Sequence, residues 1–154
     1  MSDQQLASLS LSCRDSSHIP DDAVPPEYST DPPTSGPHYA APLDAGFYEE
    51  ADLATLSEHP VGSLVHNLEH GYVIFWYSCA LLDESGCAEL KDQMRGVMDQ
   101  YNGIKLIAFP WGSIDTPIVM TSWGRLQRFE RFRASQASDF IERNRNRAPE
   151  PNAP

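Results

Sequence analysis

The sequence predicts an α+β domain: a small mixed β-sheet with two helices, in the order β-α-β-β-α, behind a long proline-rich irregular arm. Three observations carry the prediction. "YVIFWYS" at residues 72–78 is apolar without alternation, apolar residues recur three and four apart over residues 87–103, and most of the thirteen prolines precede residue 61. A β-branched and aromatic run of this kind marks a strand covered on both faces, and therefore a central one.

Taken in order, the arm "IPDDAVPPEYSTDPPTSGPHYAAPLDAG" and its continuation are punctuated by Tyr28, Tyr39, Phe47 and Tyr48. Disordered segments are poor in aromatics, so these residues are expected to anchor the arm around a core. After the strand at 72–78, "CAELKDQMRGVMDQYNG" places Leu90, Met94, Val97, Met98 and Tyr101 on one helical face and ends at Asn102-Gly103, a helix stop. "KLIAFPW" predicts a second strand, and "TPIVMTSWGRLQRF" a third, beyond the turn residues "GSIDTP". A last helix, "SQASDFIERNRNR", starts at a serine cap and stops before Pro149. At 154 residues the chain accommodates one domain of ordinary size. Its expected division is a flexible N-terminus over 1–17, a single domain over 18–147, and a disordered tail over 148–154.

The net charge of −11 is unevenly spread. Residues 1–60 hold eleven acids against one arginine, and residues 121–154 hold seven arginines against four acids. An acidic surface of this kind excludes nucleic acid as the expected partner. The basic stretches "RLQRFERFR" and "IERNRNR" predict a solvated helix whose arginines sit near acids and near a helix C-terminus. No apolar run approaches the roughly 18 residues that span a bilayer. The start "MSDQQLASLSLSC" lacks the basic and apolar regions of a secretory leader, so the chain as given is expected to be soluble. Of three cysteines, Cys79 and Cys87 flank the short segment "ALLDESG" and could close it with a disulfide, leaving Cys13 over. A bridge would indicate an oxidising compartment and two reduced thiols a cytosolic one; the bridge is favoured.

No glycine-rich phosphate loop and no nucleophile elbow occurs, and neither Ser35 nor Ser122 has an evident base beside it. The chemistry therefore narrows to the histidines His18, His38, His59, His66 and His70. Positions four apart share a helix face, so His66 and His70 can reach one point. "HNLEH" also spells H-x-x-E-H, the signature of a zinc protease whose glutamate is the general base. Its surroundings argue otherwise, because Pro60 upstream and the strand downstream leave room for about two helical turns. Glu69, beside His70, is expected to project away from the His66/His70 face and to orient a histidine through its second ring nitrogen. Ser35-Gly36-Pro37 forms a turn able to present His38 rigidly. Met94, Met98 and Met120 are soft donors by type, but their spacing fits core packing better.

"PPTSGPHY" (32–39), "LVHNLEHGYVIFWY" (64–77) and "PIVMTSWGR" (117–125) resemble, in order, strings of the bacterial family catalogued as domain of unknown function 3105, over about His18 to Gly124. The resemblance implies that His38, His66 and His70 belong together, with His18 corresponding to a histidine near the family's start; His59 does not match and is expected in a surface loop. Many members of that family resemble secreted or membrane-anchored proteins, which implies an extracytoplasmic location, with a cytoplasmic one as the alternative.

The functional expectation is a metal-binding protein. His38, His66, His70 and His18 would be the ligands and Glu69 and Tyr39 would support them. Converging imidazoles suit copper or zinc, and also iron. Four imidazoles would close the site and favour metal handling. Three would leave it open for a metal-dependent hydrolase or oxidase. The remaining alternative is a non-catalytic interaction domain in which the histidines brace the arm against the sheet.

Overall fold

The computed structural model describes residues 16–154. Most of the stretch expected to be flexible, residues 1–15, and with it Cys13, lies outside the described residues. The elements are β1 (Gly46–Phe47), α1 (Val61–Glu69), β2 (Val73–Tyr77), α2 (Glu84–Gln100), β3 (Leu106–Pro110), β4 (Ile118–Ser122), β5 (Arg125–Phe129) and α3 (Ala134–Asn144), with short 3-10 turns at Glu50–Thr55 and Cys79–Leu81. The five strands form one mixed sheet in the order β1-β3-β2-β4-β5. β2 runs parallel to β3 and antiparallel to β4, and lies at the centre.

The apolar run of β2 does not alternate because both sides of it are covered. Val73, Phe75 and Tyr77 face α2 and α3, where they meet Leu90, Met94, Val97, Met98, Phe140 and Ile141. Ile74 and Trp76 face the other way, onto Leu64 and Leu68 of α1 and onto Phe109. The protein is thus a three-layer α+β sandwich, with α2 and α3 on one side of the sheet and α1 on the other. Removing a fully buried side chain of this size, such as Phe75, costs about 3–5 kcal/mol. Met94, Met98 and Met120 are all part of the first of these cores.

Several boundaries differ from those the sequence predicts. α2 starts three residues before Cys87, because the Asp83 carboxylate caps it by accepting from the Gly86 N–H at 2.7 Å. The predicted third strand is a hairpin, β4 and β5, folding back at Trp123-Gly124 where Gly124 takes φ +72°. "RLQRF" is therefore a strand and not part of a solvated helix. α3 starts one residue before the expected serine cap, and Arg133 caps it without a side-chain bond. α1, absent from the two-helix prediction, is a nine-residue helix.

The arm wraps the core through its aromatics. Tyr28 donates to the Pro37 carbonyl at 2.7 Å, and Tyr39 to that of Ala23 at 2.6 Å. Glu49 receives Lys91 and Arg95 of α2, clamping the arm to that helix. Cys79 and Cys87 are joined in a disulfide, and no helix among the described residues is long and apolar enough to cross a membrane. The last residues, expected to be a loose tail, lie against α1. Glu150 donates its backbone N–H to the Glu69 carbonyl at 3.0 Å, and the Lys105 ammonium gathers the His70 carbonyl, Asn146 Oδ1 and the Pro151 carbonyl at 2.7–2.8 Å.

Candidate functional site

α1 is short but firmly set. Its first turn is carried by the Pro60 carbonyl, which accepts from Ser63 and Leu64 at 3.0 Å, and Gly71 at φ +92° turns the chain into β2. A Cβ at Gly71 would stand 2.6 Å from Asn146 Cα, so only glycine permits the C-terminal segment to approach. Leu64 and Leu68 face the sheet. Asn67 holds the arm by bonding both backbone groups of Leu43, at 2.8 and 2.9 Å. The opposite side of the helix carries His66 and His70, whose rings are 4.5 Å apart and perpendicular.

The arm supplies two further imidazoles. Gly36, at φ +136° and packed on the Tyr28 ring, forms the turn that presents His38. The strand-like bridge between His18 and His38 then sets His18 alongside, through Ile19 N–H to the His38 carbonyl at 2.8 Å. The rings of His18, His38 and His66 lie 4.8–5.4 Å from one another. One nitrogen from each of these three residues falls within 4.8 Å of the others, and the same holds for His66, His70 and Glu150. His66 belongs to both groups and is the hub. His59 stays apart, on the surface beside Glu58.

The hydrogen bonds fix which nitrogen each ring presents. His38 Nδ1 donates to the Gly36 carbonyl at 2.9 Å and His66 Nδ1 to the Tyr39 carbonyl at 2.7 Å. A ring that donates from Nδ1 keeps its lone pair on Nε2. His70 Nδ1 lies 3.3 Å from a Pro154 oxygen. The Nε2 atoms of His66 and His70 face one another at 2.9 Å, where a proton on His70 Nε2 would be donated to His66. His38 Nε2 faces Glu69 Oε2 at 3.1 Å. That contact is no hydrogen bond while both atoms are acceptors, and among the described residues neither buried atom has a hydrogen-bond partner. Lone pairs brought this close require a proton or a cation among them.

Burial holds His38 and His66 below the usual imidazole range, and the neighbouring rings add to the effect. Both are accordingly neutral at physiological pH, the form in which histidine ligates metals. Burial, with the Glu150 carboxyl next in importance, pushes Glu69 up to about 7. Glu69 is 3% exposed and turned towards His38. The end of α1 directs it to the side where the arm brings His38, so the carboxylate expected off the His66/His70 face stands beside a third ring. Tyr39 supports His66 with its backbone carbonyl, its hydroxyl being occupied at Ala23. Its ring also packs so closely on Gly62 that a Cβ there would overlap it. The geometry adds one residue that sequence reasoning missed, Glu150, whose carboxylate lies 3.3 Å from His70 Nε2.

The fold and this cluster define an α+β protein with a buried histidine–carboxylate constellation. The match to the family described as protein of unknown function DUF3105 covers residues 21–154, and the chain belongs to that family. The matched region begins just after His18 and extends beyond Gly124 to include Glu150. No curated protein and no solved structure matches the chain.

Proposed function

We propose that this protein binds one transition-metal ion at the His18, His38, His66, His70 cluster, with copper or zinc favoured and iron also compatible. One observation carries the reading. His38 and His66, buried and on separate segments, each anchor Nδ1 on a carbonyl oxygen and leave Nε2 able to ligate, which is how metal-binding imidazoles are held, and one ring nitrogen each of His18, His38 and His66 lie within 4.8 Å of one another. His66 cannot bridge two ions, since its Nδ1 is committed to Tyr39, so the two overlapping groups compete for one ligand atom and describe a single site. In a tetrahedral zinc site, nitrogens about 2.0–2.1 Å from the ion lie about 3.3 Å apart. His66 and His70 Nε2, at 2.9 Å, would need to part by only a few tenths of an ångström. Glu150 would be a carboxylate ligand on the solvent side, and Glu69 would balance charge or take up a released proton.

The imidazole-rich donor set supports metal handling. An exposed His18 and a half-exposed Glu150 on the outer side support the alternative of a small hydrolase or oxidase with an accessible ion. The disulfide supports an extracytoplasmic location. The test is elemental analysis of untagged protein after loading with copper, zinc or iron, repeated on His66→Ala and His70→Ala. The expected result is about one ion per chain in the parent and less than a tenth of that in His66→Ala. A parent that retains no metal after loading overturns the proposal. So does a His66→Ala variant that loses stability while keeping its metal content, the outcome expected if the histidines only brace the arm.

A further inference from the structure

The arginine-rich end of the chain forms a second concave feature, between the β4–β5 turn and the C-terminus of α3. It is a cleft of about 460 Å³ lined by Trp123, Arg125, Arg143, Asn144 and Arg147. That volume lies within the range of small-molecule sites, about 300–1,000 Å³. In a chain of net charge −11, three guanidinium groups converging on one hollow need an explanation. The sequence predicts that these arginines sit near acids, but among the described residues none of the three is paired with a carboxylate; the charged pairs of Lys and Arg are those of Lys91 and Arg95 with Glu49 and Glu50. Among the described residues Arg125 donates only to the carbonyl of its neighbour Gly124, and Arg143 only to that of Asp139 in its own helix, both at 3.3 Å.

A second observation comes from the sheet. Ser122 stands directly opposite Arg125 in the β4–β5 register, so the two share the face that looks towards α3. Ser122 is 1% exposed and its hydroxyl has no hydrogen-bond partner among the described residues. Ser122 does not line the cleft, so it marks the face on which Arg125 stands and contributes no ligand contact.

We infer that this cleft binds a small molecule bearing a carboxylate or phosphate group, with Arg125, Arg143 and Arg147 recognising the oxyanion and the Trp123 indole walling one side. Guanidinium forks match the oxygens of either group in pairs, which a lone ammonium cannot do. Asn144 has its amide N–H committed to the Phe140 carbonyl at 2.9 Å, so it shapes the wall while the arginines provide the charge. The cleft adjoins the histidine cluster through the backbone. Gly124 donates to the Thr34 carbonyl at 3.0 Å, four residues before His38, and Asn146, next to Arg147, donates to the Gly71 carbonyl at 2.9 Å. The inference does not depend on an ion at the histidines.

The experiment is isothermal calorimetry at low ionic strength on the whole chain, treated with chelator so that no bound ion contributes, with inorganic phosphate and succinate as separate probes. Saturable binding of at least one probe in the range of about 0.1–1 mM is expected. Arg143→Gln and Arg147→Gln should each weaken it about tenfold, Arg143→Lys less than that, and Arg131→Gln, outside the cleft, by under about twofold. Thermal unfolding of each variant checks that it is folded. Binding of phosphate alone assigns the cleft to phosphoryl groups, and of succinate alone to carboxylates. No saturable binding of either probe overturns the inference, as does an Arg131→Gln effect equal to that of Arg143→Gln. Because metal is excluded throughout, failure here leaves the histidine site unaffected.

Discussion

Replacing Lys105 with methionine should loosen the C-terminal segment from α1. The Lys105 ammonium donates to three acceptors, the His70 carbonyl at 2.8 Å, Asn146 Oδ1 at 2.7 Å and the Pro151 carbonyl at 2.8 Å. Charge-assisted hydrogen bonds contribute about 1.5–3 kcal/mol each when buried. Two of these acceptors belong to exposed residues, where solvent screens the interaction. A total loss of about 2–3 kcal/mol is therefore expected. With a urea slope of about 1–3 kcal/mol per molar, the unfolding midpoint should fall by about 1–2 M. Lys105 also sits at φ +56°, in the left-handed region. Lys105→Gly removes the same bonds but relieves that backbone cost, so it should be less destabilising than Lys105→Met by about 0.5–1 kcal/mol. Hydrogen exchange should show residues 150–153 losing protection in both variants. A midpoint unchanged within error in Lys105→Met, or equal destabilisation by the two substitutions, refutes the reasoning.

Two further predictions follow from other contacts. The bond from Lys91 is the main cause holding the Glu49 carboxyl below its ordinary value of 4.5, with Arg95 assisting. A depressed carboxyl stabilises the fold above its unfolded value and loses that contribution as pH falls through the folded one, so thermal stability should decline below about pH 4.5 less steeply in Glu49→Gln than in the parent; parallel curves would contradict this. Opening the disulfide by Cys79→Ala with Cys87→Ala frees a short loop. This should destabilise the protein by about 2.5 kcal/mol in a denaturant titration, and a change below about 0.5 kcal/mol would show that the bridge constrains little.

The elements that could be identified from the sequence are those whose burial is written into consecutive residues. β2 shows its place at the sheet centre because every residue from Val73 to Tyr77 meets a core on one side or the other. α2 shows its face through Leu90, Met94, Val97 and Met98. The start of α2 was there to be found in Asp83, a capping residue three before Gly86. α1 was harder, since a nine-residue helix closed by Pro60 and Gly71 gives periodicity little length to declare itself. The β4–β5 hairpin was hidden by a two-residue turn inside one continuous apolar and basic stretch.

The histidines were identifiable as a set through their strings, but their arrangement was not. Which ring nitrogen each presents depends on the carbonyls of Gly36 and Tyr39, a matter of tertiary placement that no spacing encodes. Glu150 carried no signal at all. It lies in irregular backbone among prolines, where neither helical nor strand period applies, and its position is set by tertiary contacts, its N–H to the Glu69 carbonyl and its carboxylate to His70. The inward turn of Glu69 likewise followed from where the arm ends up, not from its own neighbours.

The two histidines of α1 are neighbours as soon as that helix forms, yet the groups around them arrive from opposite directions along the polypeptide. His18 and His38 come with the leading arm, and Glu150 with the final turn. Proteolytic trimming at either extremity would therefore register at the same interior spot, tens of residues from the cut. A chain cut before Glu150 would keep the imidazoles and Glu69 but not the carboxylate that faces His70.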